Sequence, residues 1–202
     1  MKPPTASDLQ EKKVKIKRET AIENAIIARP DLLGFSGANA IRNLRIAQES
    51  GAVDVVLLPQ KGSTRLVLIE TKVATAADAN GKVVGQLLMY YGGALTMGLD
   101  GVERLRQFAR NFQNEAESIE RKSPQKVLLR VSGERFPNPI AMDRLTKGTR
   151  LTPKEIALFI AVDNQPHHTL LPLLQKLRKF HKIRIGLIVV LNGMPEILYK
   201  TN

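Results

Sequence analysis

Short apolar runs alternate with polar, turn-rich stretches along most of this chain, and their spacing predicts an α/β protein. From Glu19 to Arg29, "ETAIENAIIAR" sets Ile22, Ala25, Ile26 and Arg29 at helical spacing, and Pro30 and Gly34 of "PDLLG" stop the helix. "IRNLRIAQE" and "AVDVVLL" read as strands parted by Ser50 and Gly51, and "RLVLIETK" reads as a third strand after the turn "PQKGST". In "VVGQLLMYYGGALTMG" Val84, Leu87, Leu88, Tyr91 and Leu95 have helical spacing, while Gly85, Gly92 and Gly93 weaken the helix and suggest close packing or approach to a ligand. Val102 to Ile119 is a polar helix candidate, and "KVLLRV" (126–131) a strand before the irregular "SGERFPNPIAMDRLTKGTRLTP". The end is a βαβ unit: the apolar strand "IALFIAVD", the helix "HHTLLPLLQKLRKFHKI" with Leu170, Leu173, Leu174 and Leu177 on one side, and the apolar strand "RIGLIVVLNG". "MPEILYK" adds a short edge strand. Together these elements imply a mixed central sheet flanked by helices.

Residues 1–18 break this pattern. Early prolines and "EKKVKIKR" show no sustained apolar period, so they read as a basic flexible arm running into the first helix. Residues 19–202 then form one domain, with 102–152 as a helical and irregular insertion or lid.

Composition narrows the class of protein. The chain has 202 residues, 43% hydrophobic and 25% charged, as in an ordinary globular domain. No apolar run approaches the roughly 20 residues of a membrane span, and the N-terminus has no secretory pattern, so a cytoplasmic protein without a membrane partner is expected. The absence of cysteine excludes disulfides, thiolate zinc sites and cysteine nucleophiles, and three histidines leave little for an imidazole-rich site. Any metal would be held mostly by oxygen. A net charge of +12 attracts polyanions, which makes nucleic acid the expected partner. Aromatic residues are only 4% with no tryptophan, which favours duplex-backbone contact over base stacking. Within the insertion, Arg104, Arg106, Arg110, Arg121, Lys122, Lys126 and Arg130 are candidates for that contact.

The candidate chemistry lies at the end of "LVLIETK". Side chains alternate across a strand, so Leu66, Leu68, Glu70 and Lys72 share one face while Val67, Ile69 and Thr71 take the other. If "AVDVVLL" folds back through a hairpin centred near Gly62, Asp54 lies opposite Glu70. Two facing carboxylates destabilise a sheet unless something positive lies between them. Mg²⁺, with Mn²⁺ as a substitute, fits: it is hard, uses one or two carboxylates and keeps water and phosphate oxygens as its other ligands. Lys72 beside it would stabilise or deprotonate a water, the chemistry of phosphodiester hydrolysis. On its own, an acid and a base two residues apart is an ordinary solvated pair, with Asp54 capping a turn.

"VDVVLL", the sixteen residues from Asp54 to Glu70, "IETK" and "GQLLMYYGG" together resemble the PD-(D/E)XK nuclease superfamily, the restriction-endonuclease-like fold, over about residues 19 to 98. The resemblance implies a metal-dependent deoxyribonuclease, endonuclease or exonuclease, in which Asp54 and Glu70 bind metal, the Thr71 carbonyl completes its shell and Lys72 activates water. It implies that Gln86 and Tyr90, on one helix face, join the site. It also implies a further acid on the first helix, Glu23, with Glu19 one turn earlier as the competitor. The usual Pro-Asp pair is replaced by Val53-Asp54. The implied partner is double-stranded or branched DNA, with RNA and a second copy of the chain as further expectations. The other class of reading is a non-catalytic nucleic-acid-binding protein or assembly subunit that keeps the fold. His167 and His168 read as a helix start, His181 as surface, and Asp163-Asn164 of "VDNQP" as a turn.

Overall fold

The strands lie in the sheet in the order in which they occur along the chain. A computed structural model describes residues 6–46, 51–75, 81–97, 103, 139–147 and 150–200. Its elements are α1 (Ala6–Ala28), β1 (Asn39–Arg45), β2 (Ala52–Leu58), β3 (Leu66–Lys72), α2 (Gly81–Thr96), α3 (Pro139–Thr146), β4 (Ile156–Val162), α4 (Leu170–His181), β5 (Ile185–Leu191) and β6 (Met194–Tyr199). β1, β2 and β3 form an antiparallel meander, β3, β4 and β5 run parallel, and β6 returns antiparallel. The protein is thus α/β, with a six-stranded mixed open sheet.

Alternation sorts the strand side chains into two apolar layers. Val67 and Ile69 face one way with Val55, Leu57 and Phe159, and are covered by Ile22 and Ile26 of α1. Leu66 and Leu68 face the other way with Val56, Leu158 and Ile160, and are covered by Leu87 of α2, Leu145 of α3 and Leu174 of α4. Each fully buried aliphatic side chain contributes about 1.5–3 kcal/mol, so β3 and β4, lined on both faces, anchor the fold. No helix among the described residues is long and apolar enough to cross a membrane.

Two elements differ from the sequence reading. The first helix begins at Ala6 rather than near Glu19, so residues 6–18 are helical. Their lysines and Leu9 are adequate helix formers, but Leu9, Val14 and Ile16 are about half exposed, so no buried stripe marked the helix. The described end of the 102–152 segment is α3, which docks far from Glu70 and Lys72. Arg144 donates to the carbonyls of Pro59, Gly62 and Thr64 in the β2–β3 connection, and Arg65 donates back to those of Arg144, Leu145 and Lys147. That connection lies at the N-terminal end of β3, so residues 139–147 form no lid over the C-terminal end. The helix expected at 102–119, except Glu103, and the strand expected at 126–131 lie outside the described residues.

Candidate active site

β2 and β3 pair with Val55 opposite Ile69, Val56 opposite Leu68 and Leu57 opposite Val67. Gly62, at φ +86°, turns their connection in a conformation that side chains resist. Asp54 is the residue before the last observed pair, and its charge acts on Glu70 of β3 and on Glu23 of α1. There the ladder ends, and the Asp54 carboxylate takes the place of a backbone acceptor: its Oδ2 receives the Thr71 N–H at 2.7 Å and the Thr71 hydroxyl at 3.0 Å. Thr71 thereby fixes the Asp54 carboxylate.

Glu70 is completely buried, because β4 flanks it with Ile160 opposite and α2 covers the same face. Its Oε1 accepts a hydrogen bond from Lys72 Nζ at 2.8 Å, and its Oε2 is buried without a hydrogen-bond partner among the described residues. Burial, and after it the charge of Asp54, push the Glu70 carboxyl up to about 7, against the pull of Lys72. Burial works on Lys72 in the opposite sense, but its bond to Glu70 and the charges of Glu70, Asp54 and Glu19 outweigh it, so the Lys72 ammonium is held above its ordinary value. Lys72 is therefore a cation at neutral pH, paired with Glu70.

Glu23 on α1 belongs to the same electrostatic cluster. Burial, then the charge of Asp54, raise it to about 7, while Arg42 on β1 and, more weakly, Lys72 oppose this. The Arg42 guanidinium contacts Glu23 Oε2 at 3.2 Å and also donates to Asn24 Oδ1. The structure thus draws Glu19, Glu23, Asp54, Glu70 and Lys72 into one mutually felt group. Among the described residues, no three His, Cys, Asp or Glu side chains converge into a group able to hold a metal ion by themselves.

Gln86 and Tyr90 lie one turn apart on the sheet-facing side of α2. Gln86 Nε2 donates to the Tyr90 hydroxyl at 2.6 Å, and that hydroxyl gives its proton to the Ala52 carbonyl at 2.8 Å. Burial and the charge of Glu70 raise the Tyr90 pKa, so the phenol stays neutral. The pair fastens α2 to the start of β2, two residues before Asp54, and thereby positions the acids. Removing the hydroxyl in Tyr90→Phe leaves the Ala52 carbonyl and Gln86 without it. The expected loss is about 1 kcal/mol, read as a fall of a few degrees in the thermal midpoint.

Arg104, Arg106, Arg110, Arg121, Lys122, Lys126 and Arg130 lie outside the described residues. Two residues escaped sequence reasoning. Arg42 shows no local signal, because its partner lies on another element. Asp163, explained by its turn, in fact ends β4 with one oxygen on Arg18 Nε at 2.7 Å and the other on the Ala74 N–H at 2.9 Å. It ties α1 to the backbone just beyond Lys72. Comparisons with protein-family models, curated proteins and solved structures found no match for this chain.

Proposed function

We propose that this protein is a Mg²⁺-dependent deoxyribonuclease with a restriction-endonuclease-like core of the PD-(D/E)XK type, hydrolysing DNA phosphodiester bonds in the cytoplasm. The observation that carries the proposal is the fully buried Glu70, with one oxygen lacking a hydrogen-bond partner among the described residues and the Asp54 charge acting on it. Two such carboxylates repel, and both are hard oxygen donors, so the pair suits a hard divalent cation better than a second lysine. Mg²⁺ needs no protein cage, since water and substrate oxygens fill its remaining positions.

A cation held by Asp54 and Glu70, with the Thr71 carbonyl and Glu23 at its margin, would neutralise charge growing on the phosphodiester and acidify a neighbouring water. Thr71 keeps the Asp54 carboxylate aimed through its two donors. Lys72 supplies a fixed positive charge beside the scissile phosphate. Gln86 and Tyr90 hold the helix that closes the apolar side of the site. The net charge of +12 supports a polyanionic substrate.

Incubation of the protein with supercoiled, linear, branched and single-stranded DNA in Mg²⁺, Mn²⁺ or EDTA tests this reading. Cleavage in the metals and none in EDTA is expected. Equal cleavage in EDTA, or no cleavage of any of the four, would overturn it.

One observation favours a second reading. Lys72 compensates Glu70 directly at 2.8 Å, so the cluster has a counter-ion of its own. On that reading the chain is a non-catalytic nucleic-acid-binding protein, and its affinity for DNA is the same with and without Mg²⁺.

A further inference from the structure

We propose that the N-terminal half of α1 and the backbone that follows β3 form the groove in which the phosphate backbone of duplex DNA lies, with Lys12 and Lys15 as its anion contacts. The inference rests on the nuclease reading for the identity of the occupant, and it assigns that reading a binding surface.

α1 extends past the point where it is needed to cover the sheet. Its last buried side chains are Ile22 to Ile27, whereas Leu9, Val14 and Ile16 are 49%, 50% and 53% exposed. The protruding half, residues 6–18, carries Lys12, Lys13, Lys15, Lys17 and Arg18 against two acids, Asp8 and Glu11. Lys12, Lys15 and Arg18 recur every three residues, about 4.5 Å apart along the helix axis, with Arg18 already paired to Asp163 and Lys12 and Lys15 facing the groove. With Val14 they form one wall of a groove of about 550 Å³, whose other wall is Val73 and Thr75. Glu11 lines it too, so the wall is positive on balance but not uniformly.

Asp163 holds both walls in place. Its carboxylate ties Arg18 of α1 on one side and the Ala74 N–H on the other, so the gap between them is fixed at the end of β4. Lys72 pairs with Val162, the residue before Asp163, which places the groove next to the acid cluster. One turn beyond Lys15 on α1 comes Glu19, whose charge Lys72 feels. A backbone lying along Lys12 and Lys15 is thereby led to the carboxylates. The two lysines suit phosphate, and the absence of aromatic side chains from the lining, among the described residues, offers no platform for stacked bases.

The test is the affinity of the full chain for a fluorescein-labelled duplex in EDTA, measured by anisotropy over a range of NaCl concentrations. The Lys12→Ala/Lys15→Ala variant should bind roughly tenfold or more weakly near physiological salt, and its salt slope should fall by about 2, one for each lost phosphate contact. Lys176→Ala/Lys179→Ala, an equal charge change on exposed α4, should stay within about twofold of the parent. Equal weakening by both pairs would reduce the effect to diffuse charge and overturn the groove, as would unchanged binding by the Lys12/Lys15 variant. Tighter binding of an RNA duplex of the same sequence would overturn DNA as its occupant. Because binding is read in EDTA, the two readings fail separately. Groove-dependent binding without cleavage in Mg²⁺ sinks the nuclease alone, whereas cleavage unaffected by the Lys12/Lys15 change sinks the groove alone.

Discussion

Replacing Glu70 with glutamine is expected to abolish metal-dependent cleavage and, at the same time, to make the metal-free protein more stable above neutral pH. The two effects come from one cause. In the folded chain the Glu70 carboxyl titrates near 7, against an ordinary value of 4.5, chiefly because it is buried and secondly because of the charge of Asp54. A carboxyl whose folded pKa is raised binds its proton more tightly in the folded state. The stability it confers is complete below about 4.5 and is lost as pH rises through about 7. At pH 8 the ionised group therefore costs stability on the order of 2–3 kcal/mol, the pull of Lys72 included. Glutamine has the same shape and no charge, so Glu70→Gln should raise the thermal midpoint at pH 8 by about 4–12 °C and leave it nearly unchanged at pH 5. Glu23 titrates near the same value and remains in both proteins, so the comparison is made at fixed pH. Mg²⁺ should raise the midpoint of the parent and not of the variant, since a ligand stabilises only the state that binds it. Cleavage should fall at least about a hundredfold. Parent-like cleavage by Glu70→Gln, or a lower midpoint at pH 8, would remove Glu70 from the site.

Gly186→Ala should be the most damaging single-methyl change among the described residues. Gly186 pairs with Phe159 across β5 and β4. A Cβ there would lie 2.6 Å and 2.9 Å from ring atoms of Phe159 and 2.6 Å from the Tyr199 carbonyl oxygen. Neither neighbour gives way easily. The Phe159 ring is fully buried and packs edge-on against Phe35 with centroids 6.2 Å apart, and the Tyr199 carbonyl is backbone. Accommodating the methyl requires β6 to move, which overpacking data place at roughly 3 kcal/mol, or a fall of about 6–12 °C in the thermal midpoint. Gly85→Ala serves as the contrast, because nothing lies within 4 Å of its added Cβ and a helix interior favours alanine by about 0.5–1 kcal/mol. If Gly186→Ala melted within a degree of the parent, the close approach of these strands would be wrong.

Much of this fold is legible because its strands carry period-two or wholly apolar patterns. The antiparallel hairpin of β2 and β3, with Val55 opposite Ile69, is readable from Gly62, which turns the connection between them. The βαβ unit follows from two continuous apolar runs around an amphipathic helix. What the chain conceals is burial and long-range pairing. An acid two residues before a lysine reads as a solvated strand end, yet Glu70 is completely buried, because β4 arrives beside it from far along the sequence. Asp163 is explained locally by a turn, while its carboxylate binds Arg18, 145 positions away. Likewise, nothing local joins Arg42 to Glu23. The helicity of residues 6–18 stays hidden for the opposite reason: a helix that buries no stripe leaves no apolar period to read.

The strand order has a consequence for how chemistry is distributed along the chain. Glu23, Asp54, Glu70, Lys72, Gln86 and Tyr90 all precede residue 91, whereas β4, α4, β5 and β6 supply an apolar wall, with Asp163 just after β4 bonded to Arg18 and the Ala74 N–H. β3 is the seam, antiparallel to the meander on one side and parallel to the wall on the other. On the nuclease reading, the proposed site and its support thus come from different stretches of sequence. The C-terminal stretch holds that site through Ile160 and Asp163, and its own packing leaves no room at Gly186 for a side chain.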